Sequence, residues 1–344
     1  MNKKKIIIVG AGLSGLYLAS LLEKEFDVTL LEARERIGGR IYSQDGHDLG
    51  PSWIWPHHTN MLGLITSLGL ELFRQYDQGY ALFDTQNKVE HFTPPPSSPS
   101  ARVEGSLSKL IEKLSQTLTN TQIILNQELL HVEHQDHAII VTTQERSYEC
   151  DYLILTLPPR VCVNLTYNPP LPQALKEKMQ TTQTWMGNSA KCVVEFSSSF
   201  WRERGLSGFV FSNQGPLSEI HDACTEDKAA LFGFVNLHIN TDDIKEKVTE
   251  QMVRVFGIDP SEIQAIYFVD WKEERFTSVV EDRNSLSSHP SYGIDAEHFD
   301  GKLLFSSTEF SYKEGGYLEG ALINAKKTAM KILAYKNLYT EDTI

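Results

Sequence analysis

The chain of 344 residues has little of what marks several whole classes of protein. Cysteine is scarce, with only Cys150, Cys162, Cys192 and Cys224 and no CxxC pair among them. That excludes a disulfide scaffold, and it favours reduced thiols and a cytoplasmic setting. No apolar run approaches the roughly 20 residues that a membrane-spanning helix needs, so no membrane is expected. Lys3, Lys4 and Lys5 precede only the short run Ile6–Val9, too little for a signal peptide. Positive charge is in deficit, 32 Lys+Arg against 45 Asp+Glu, for a formal net charge of −13. Nucleic acid and anionic membrane surfaces are therefore poor partners. Disorder is also excluded, because 41% of the chain is hydrophobic and 22% charged. At about 150 residues per domain, the length suggests two domains. No fixed-period repeat is present.

What is present begins at once. Lys5–Val9 is a β-branched run suited to a strand covered on both faces. Gly10-Ala11-Gly12-Leu13-Ser14-Gly15 follows, then a helix with Leu13, Leu16, Tyr17 and Leu21 at helical spacing, then the strand Phe26–Glu32. This is a βαβ unit with a GxGxxG turn in its proper context. Gly10 permits the tight turn, Gly12 lets the backbone approach a pyrophosphate, and Gly15 lets helix pack on strand. The helix start, at Leu13 and Ser14, offers free N–H groups to phosphate. Glu32, 17 residues after Gly15, is placed to accept hydrogen bonds from a ribose and to repel a 2′-phosphate, which disfavours NADP.

Farther on, Met61, Leu62, Ile65 and Leu68 mark a helix, as do Leu107, Leu110, Ile111 and Leu114. Thr93–Ala101 reads TPPPSSPSA and serves as a linker between domains. Strands are expected at Ile123–Leu125, Ala138–Thr142, Tyr152–Leu157 and Lys302–Phe305, and a strong helix at Tyr317–Tyr335. Between about 181 and 273 the pattern becomes antiparallel, as at Lys191–Phe196 and Ala229–Leu237, with a helix near 242–256. The fold class is therefore α/β. A discontinuous Rossmann-like dinucleotide-binding domain (1–72, 102–180 and 274–344) carries a second, α+β domain built on an antiparallel sheet (73–101 and 181–273).

Which dinucleotide is bound is suggested by Glu32-Ala33-Arg34-Glu35-Arg36-Ile37-Gly38-Gly39-Arg40. This stretch resembles the second signature of the flavin amine oxidase family, which includes the monoamine and polyamine oxidases. Gly39 gives a close backbone approach and Arg40 a fixed cation for an FAD phosphate. The resemblance covers nearly the whole chain. Asp48–Trp53 is similar to the loop beside the isoalloxazine, which brings in Gly50, Pro51, Ser52 and Trp53. Leu153–Pro159, with Thr156, is similar to the central strand, and the residue at Leu129 is implied to touch adenine through its backbone. Trp271 and Phe276 fall in a Trp-x-x-acid-x-aromatic segment near the flavin. Glu309 is similar to the acid on the ribityl side, and Gly316-Tyr317-Leu318 to the helix start beneath the ring. There the free N–H groups of Tyr317 and Leu318 would stabilise reduced flavin.

The resemblance also implies roles. Lys191 falls on the lysine that holds a water near flavin N5 and aids reoxidation by molecular oxygen, although its strand face, shared with Val193 and Glu195, also suits a solvated surface. Tyr317 is implied as one wall of an aromatic cage. The expected reaction is oxidation of a small-molecule amine by hydride transfer to N5, with oxygen as acceptor and hydrogen peroxide as product. Val280 and Glu281 stand where some members have a flavin-linked cysteine and a second cage tyrosine, so FAD is expected to be non-covalent. Tyr292, Phe310 or Tyr312 could complete the cage, and Glu281 could instead receive a cationic substrate. Only Phe73–Ala101, 29 residues, replaces a long helical part of the substrate domain, which implies an open site for a bulky substrate. A desaturase, isomerase or dehydrogenase not acting on amines, or a non-catalytic FAD-binding protein, remain alternatives. No metal site is expected. His131, His134 and His137 alternate across a strand, and His57-His58 reads as a loop pair.

Overall fold

The computed structural model describes residues 3–94, 98–236, 239, 241–283 and 288–341, with side chains described as far as residue 335. The first layer is a six-stranded sheet ordered Glu297–His298, Leu303–Phe305, Tyr152–Leu155, Lys5–Val9, Asp27–Leu31, Thr121–Ile124. All neighbours pair parallel except the edge strand Glu297–His298. Strand periodicity explains why the sheet is covered on both sides. Ile6, Ile8, Val28 and Leu30 pack on one face against the helices Leu13–Leu22, Leu107–Gln116 and Leu318–Glu341. Ile7, Val9, Leu153 and Leu155 pack on the other, with Val132, Val141 and Cys162. Val9 and Leu155 end side by side on parallel strands, and the residues that follow them, Gly10 and Thr156–Pro158, line a crevice at the carboxyl ends of these strands.

The second layer is a seven-stranded sheet ordered Ile263–Asp270, Ala190–Phe196, Ala229–Val235, Leu217–Asp222, Leu206–Ser212, Tyr80–Asp84, Val89–Phe92. One face packs on the helix Ile244–Phe256 through Val248 and Met252. The other gathers Val193, Ala230 and Phe232 against Leu49 of the first layer's loop. The sheet is antiparallel except where Leu206–Ser212 meets Tyr80–Asp84 in parallel. That pairing stitches the segment from 80 to 92 onto the edge.

The sequence reading differs in places. A four-stranded sheet, Ser147–Cys150, Ala138–Thr143, Leu129–Gln135 and Thr166–Asn168, holds three strands that the reading did not foresee. These are short and half-exposed, and their polar residues mask the alternation. The C-terminal helix starts at Leu318 and runs to Glu341, because the Tyr317 N–H is spent on the Glu314 carbonyl at 3.1 Å. Of the linker, Ala101 opens a strand paired with Leu72–Arg74, and residues 95–97 lie outside those described. Leu237, expected in a strand, is likewise outside the described residues.

Candidate functional site

A cavity of about 630 Å³ runs from the glycine turn across the crevice to the second sheet. At its inner end, Gly10 adopts φ +104°, and a Cβ there would stand 2.5 Å from Thr156 Oγ1. Thr156 Oγ1 donates to the carbonyls of Val9 and Gly10 at 2.8 and 3.1 Å, clasping the turn. At Gly15 a Cβ would meet the Gly10 carbonyl at 1.9 Å, so Gly15 works by packing and does not line the cavity. Gly12 is different. A Cβ there would be 3.8 Å from the Gly38 carbonyl oxygen and 3.9 Å from Gly39 Cα, ordinary contacts without a clash. Gly12 is the N-cap of the helix Leu13–Leu22, and no side chain caps that end. Leu13 and Ser14, in the first turn, border the cavity at the positive end of that helix. The second glycine pair closes against the first, with Gly38 N donating to the Ala11 carbonyl at 2.8 Å.

Glu32 is buried and already engaged: Oε2 accepts Ala11 N at 2.7 Å and Oε1 accepts Arg34 N at 3.0 Å. It thus braces the glycine turn while its remaining lone pairs border the cavity beside Ala33. Arg34 is held by Glu274 at 3.0 Å and Thr277 at 3.0 Å and lies over the Phe276 ring at 5.3 Å. Phe276 and Leu129 line the same end. Together they form an apolar slot beside the buried Glu32 carboxylate, a shape that could take an adenosine.

Arg40 lines the middle of the cavity and forms a two-point ion pair with Glu309. Burial alone would raise the Glu309 pKa, but Arg40, Ser307 and Thr184 hold its carboxyl below the ordinary glutamate value. Glu309 is fully buried and does not line the cavity. It therefore acts through Arg40, which it fixes, and not as a direct ligand. Trp271 is also fully buried behind the wall, donating Nε1 to the Leu49 carbonyl at 3.0 Å. It positions the loop that carries Gly50, Pro51, Ser52 and Trp53, all of which line the cavity.

That loop meets Lys191. The strand Ala190–Phe196 directs this side chain inward, 2% exposed, so the face proves buried and not solvated. Its Nζ donates to the Gly50 carbonyl at 2.9 Å and to Ser52 Oγ, and lies 4.1 Å from the Phe232 ring centroid. Burial pushes the Lys191 pKa down to about 7, against the pull of Asp48 and with a further push from Arg102. Asp48 is itself buried and raised, while Ser43 Oγ and Leu107 N donate to its Oδ1 at 2.7 and 2.9 Å. A lysine that titrates near neutrality, at the wall of a cavity, is suited to holding or releasing a proton.

Tyr317 and Leu318 line the outer end, with Gly316 preceding them at φ +85°. The Tyr317 amide is taken by Glu314, so of the expected pair only Leu318, which opens the helix, presents a first-turn N–H there. Of the aromatic residues anticipated for the lip, Tyr317 lines it and Tyr292, Phe310 and Tyr312 do not. Tyr292 bonds through its hydroxyl to the Gln183 carbonyl, Phe310 stacks on Phe305 in the core, Tyr312 reaches Asp295, and none lines the cavity. Glu281 and Val280 lie outside it too, Val280 being 70% exposed. Trp55 meets Tyr317 edge-on at 5.8 Å, His289 stacks on Tyr317 at 5.3 Å, and Trp185, also lining the cavity, packs on His289 at 5.0 Å. Trp55 lies two positions beyond the segment similar to the flavin loop, and Trp185 six residues before Lys191. Both were within reach as aromatics flanking motif residues.

The two glycine cradles, the helix start with no side-chain cap and the fixed arginine fit FAD. A family model described as flavin containing amine oxidoreductase matches residues 13–108 and 97–333. Amine oxidase [flavin-containing] B of Canis lupus familiaris is 21% identical over 468 aligned positions, covering 100% of this chain and 88% of that protein. Its A counterpart from the same organism is 22% identical over 465, covering 98% and 87%. Among solved structures, putrescine oxidase bound to putrescine has TM-score 0.81 at 20% identity, covering 96% of this chain and 99% of that one. Cyclohexylamine oxidase from Brevibacterium oxydans has TM-score 0.83 at 17% identity, covering 98% and 100%. These likenesses speak to the fold.

Proposed function

This chain belongs to the family of flavin-containing amine oxidoreductases, and from that premise we propose that it oxidises an amine at a non-covalently held FAD, with molecular oxygen as acceptor. When bound, FAD supplies the two-electron chemistry, amine to imine and then dioxygen to hydrogen peroxide. The chain's residues do the rest. The glycine turns and Arg40 hold the diphosphate, Glu32 the ribose, and the slot of Leu129 and Phe276 the adenine. Leu318 presents the positive end of its helix to the cavity, which favours negative charge on the group bound there. Trp55, Trp185 and Tyr317 form an aromatic entry that strips water from an amine and favours its neutral form. Lys191 holds or releases a proton at Nζ.

The single observation carrying this reading is Lys191. It is a buried lysine with its Nζ anchored on Gly50 and Ser52, in the same cavity as the Gly10–Gly15 turn and Tyr317. Four free, buried cysteines support a reducing compartment such as the cytoplasm. The test is anaerobic titration of the purified protein with monoamines, putrescine, cyclohexylamine and amino acids, following the flavin absorbance. Bleaching by at least one amine is expected, followed by peroxide release on admitting air. A yellow protein that no amine bleaches would overturn it. The absence of Glu281 and Val280 from the cavity favours a second reading, oxidation of a bulky non-amine substrate. It would be recognised by reduction with such a substrate and reoxidation only by an artificial acceptor.

A further inference from the structure

A loop and a turn meet at the aromatic lip, where Trp55 and His58 both border the cavity. The loop Trp55–His58 precedes the helix Thr59–Ser67, and Glu314 lies in the turn before the C-terminal helix. The Glu319 carboxylate clamps the two together, accepting the backbone N–H groups of Asn60 and Met61, each at 2.9 Å. This clamp brings two imidazoles to one carboxylate. His57 Nε2 stands 3.8 Å and His58 Nε2 3.6 Å from the same oxygen, Glu314 Oε2. One donor atom from each residue falls within 4.8 Å of the others, the only such group of three among the described residues.

These separations are too long for hydrogen bonds. They are close to the edges of a coordination polyhedron. Zinc bonds to nitrogen and oxygen near 2.0–2.1 Å set tetrahedral edges of roughly 3.3 Å; the two histidine–glutamate distances lie within about half an ångström of that edge, and the His57–His58 donor separation, within 4.8 Å, closes by side-chain rotation. A second observation points the same way. His58 is 1% exposed, and neither of its ring nitrogens has a hydrogen-bond partner. Buried imidazoles are ordinarily satisfied at one nitrogen at least. This one, which borders the cavity, is left with its Nε2 aimed at a carboxylate it does not bond.

We propose that His57, His58 and Glu314 bind one borderline transition-metal dication of the Zn²⁺ class at the lip of the cavity. Two nitrogens and one carboxylate oxygen suit Zn²⁺, Co²⁺, Ni²⁺ or Cu²⁺ and give no purchase to Mg²⁺ or Ca²⁺, which require oxygen cages. Three protein ligands leave a fourth position for water. This departs from the sequence expectation of no metal, because adjacency on a loop gave no sign that Glu314 would arrive from 256 residues away. It does not depend on amine oxidation.

The experiment uses untagged, purified protein stripped with a chelator and titrated with Zn²⁺ in competition with a chromophoric chelator at neutral pH. One equivalent is expected to bind, undisturbed by millimolar Mg²⁺. His57→Ala and Glu314→Gln, both at exposed or half-exposed positions, should each weaken binding at least tenfold while keeping the wild-type thermal melt. Absence of stoichiometric binding, or wild-type affinity in either variant, would overturn the proposal.

Discussion

At the scale of single residues, the chemistry turns on charges held where water is scarce. Lys191 has its pKa lowered from 10.5 to about 7, chiefly by burial. Between these values the unfolded chain binds the proton that the folded chain has released, so stability rises with pH across that window. The penalty of burying the ammonium is complete below about pH 7 and vanishes above the ordinary lysine range. Lys191→Met should therefore melt higher than the wild type at pH 7, with the gap closing by pH 10, as parallel thermal melts would reveal. In stopped flow, the same variant should slow reoxidation by oxygen on the order of 100-fold, as for loss of one fixed electrostatic group. It should also lose a rate limb near pH 7. Slower flavin reduction with intact reoxidation would remove Lys191 from this role. Glu309 is the converse case, a buried carboxylate whose loss strands Arg40. Glu309→Gln should cost about 3 kcal/mol, because one partner of a buried pair is left uncompensated. The readouts are a melting temperature lower by several degrees and FAD that dialyses away faster than from the wild type.

At the scale of elements, the second and third glycines of the first turn separate folding from binding. A methyl at Gly15 collides with the Gly10 carbonyl at 1.9 Å, backbone against backbone, whereas a methyl at Gly12 meets nothing closer than 3.8 Å. Gly15→Ala should accordingly lower stability by forcing helix from strand, with or without FAD. Gly12→Ala should fold normally yet bind FAD at least tenfold more weakly, because its methyl occupies the diphosphate's approach. Apoprotein melts and fluorescence titration with FAD measure both, and equal FAD affinity in Gly12→Ala would sink the assigned path. This contrast also explains what could be read in advance. The βαβ unit is local, its strand run, turn glycines and Glu32 lying within 28 residues from Lys5 to Glu32. Its chemistry follows from backbone geometry alone. Lys191 could be placed on a strand, but whether that face met water depended on the distant loop of Gly50 and Ser52. The lip is less legible for a related reason. Val280 and Glu281 stand, by the resemblance, where some members have cage residues, but the chain turns through a short 3₁₀ segment there and neither residue lines the cavity.

At the scale of the whole molecule, economy of chain decides how the cofactor is kept and what can reach it. The alignment with the canine B enzyme spans 468 positions against 344 residues here, so that relative carries segments this chain lacks. The strands Tyr80–Asp84 and Val89–Phe92 form a hairpin on the edge of the second sheet where a longer helical part was expected in relatives. Two walls of the lip are correspondingly open, Trp185 being 43% and Tyr317 41% exposed. Retention of FAD must then come from the inner cavity. None of the four cysteines, all buried, lines that cavity, so no thiol is positioned for a covalent link. Acid precipitation should therefore release all of the yellow colour into the supernatant. Colour remaining with the pellet after washing would contradict the assignment. Ligand bound only to the folded state stabilises it by mass action, by about 2.7 kcal/mol at one hundred times its dissociation constant. Adding FAD to the apoprotein should thus raise the melting temperature in proportion to the logarithm of its concentration. Riboflavin, which lacks the diphosphate and adenosine that the glycine turns, Arg40 and Glu32 are placed to hold, should raise it far less. Equal shifts from the two would mean that the long inner arm of the cavity contributes nothing to binding.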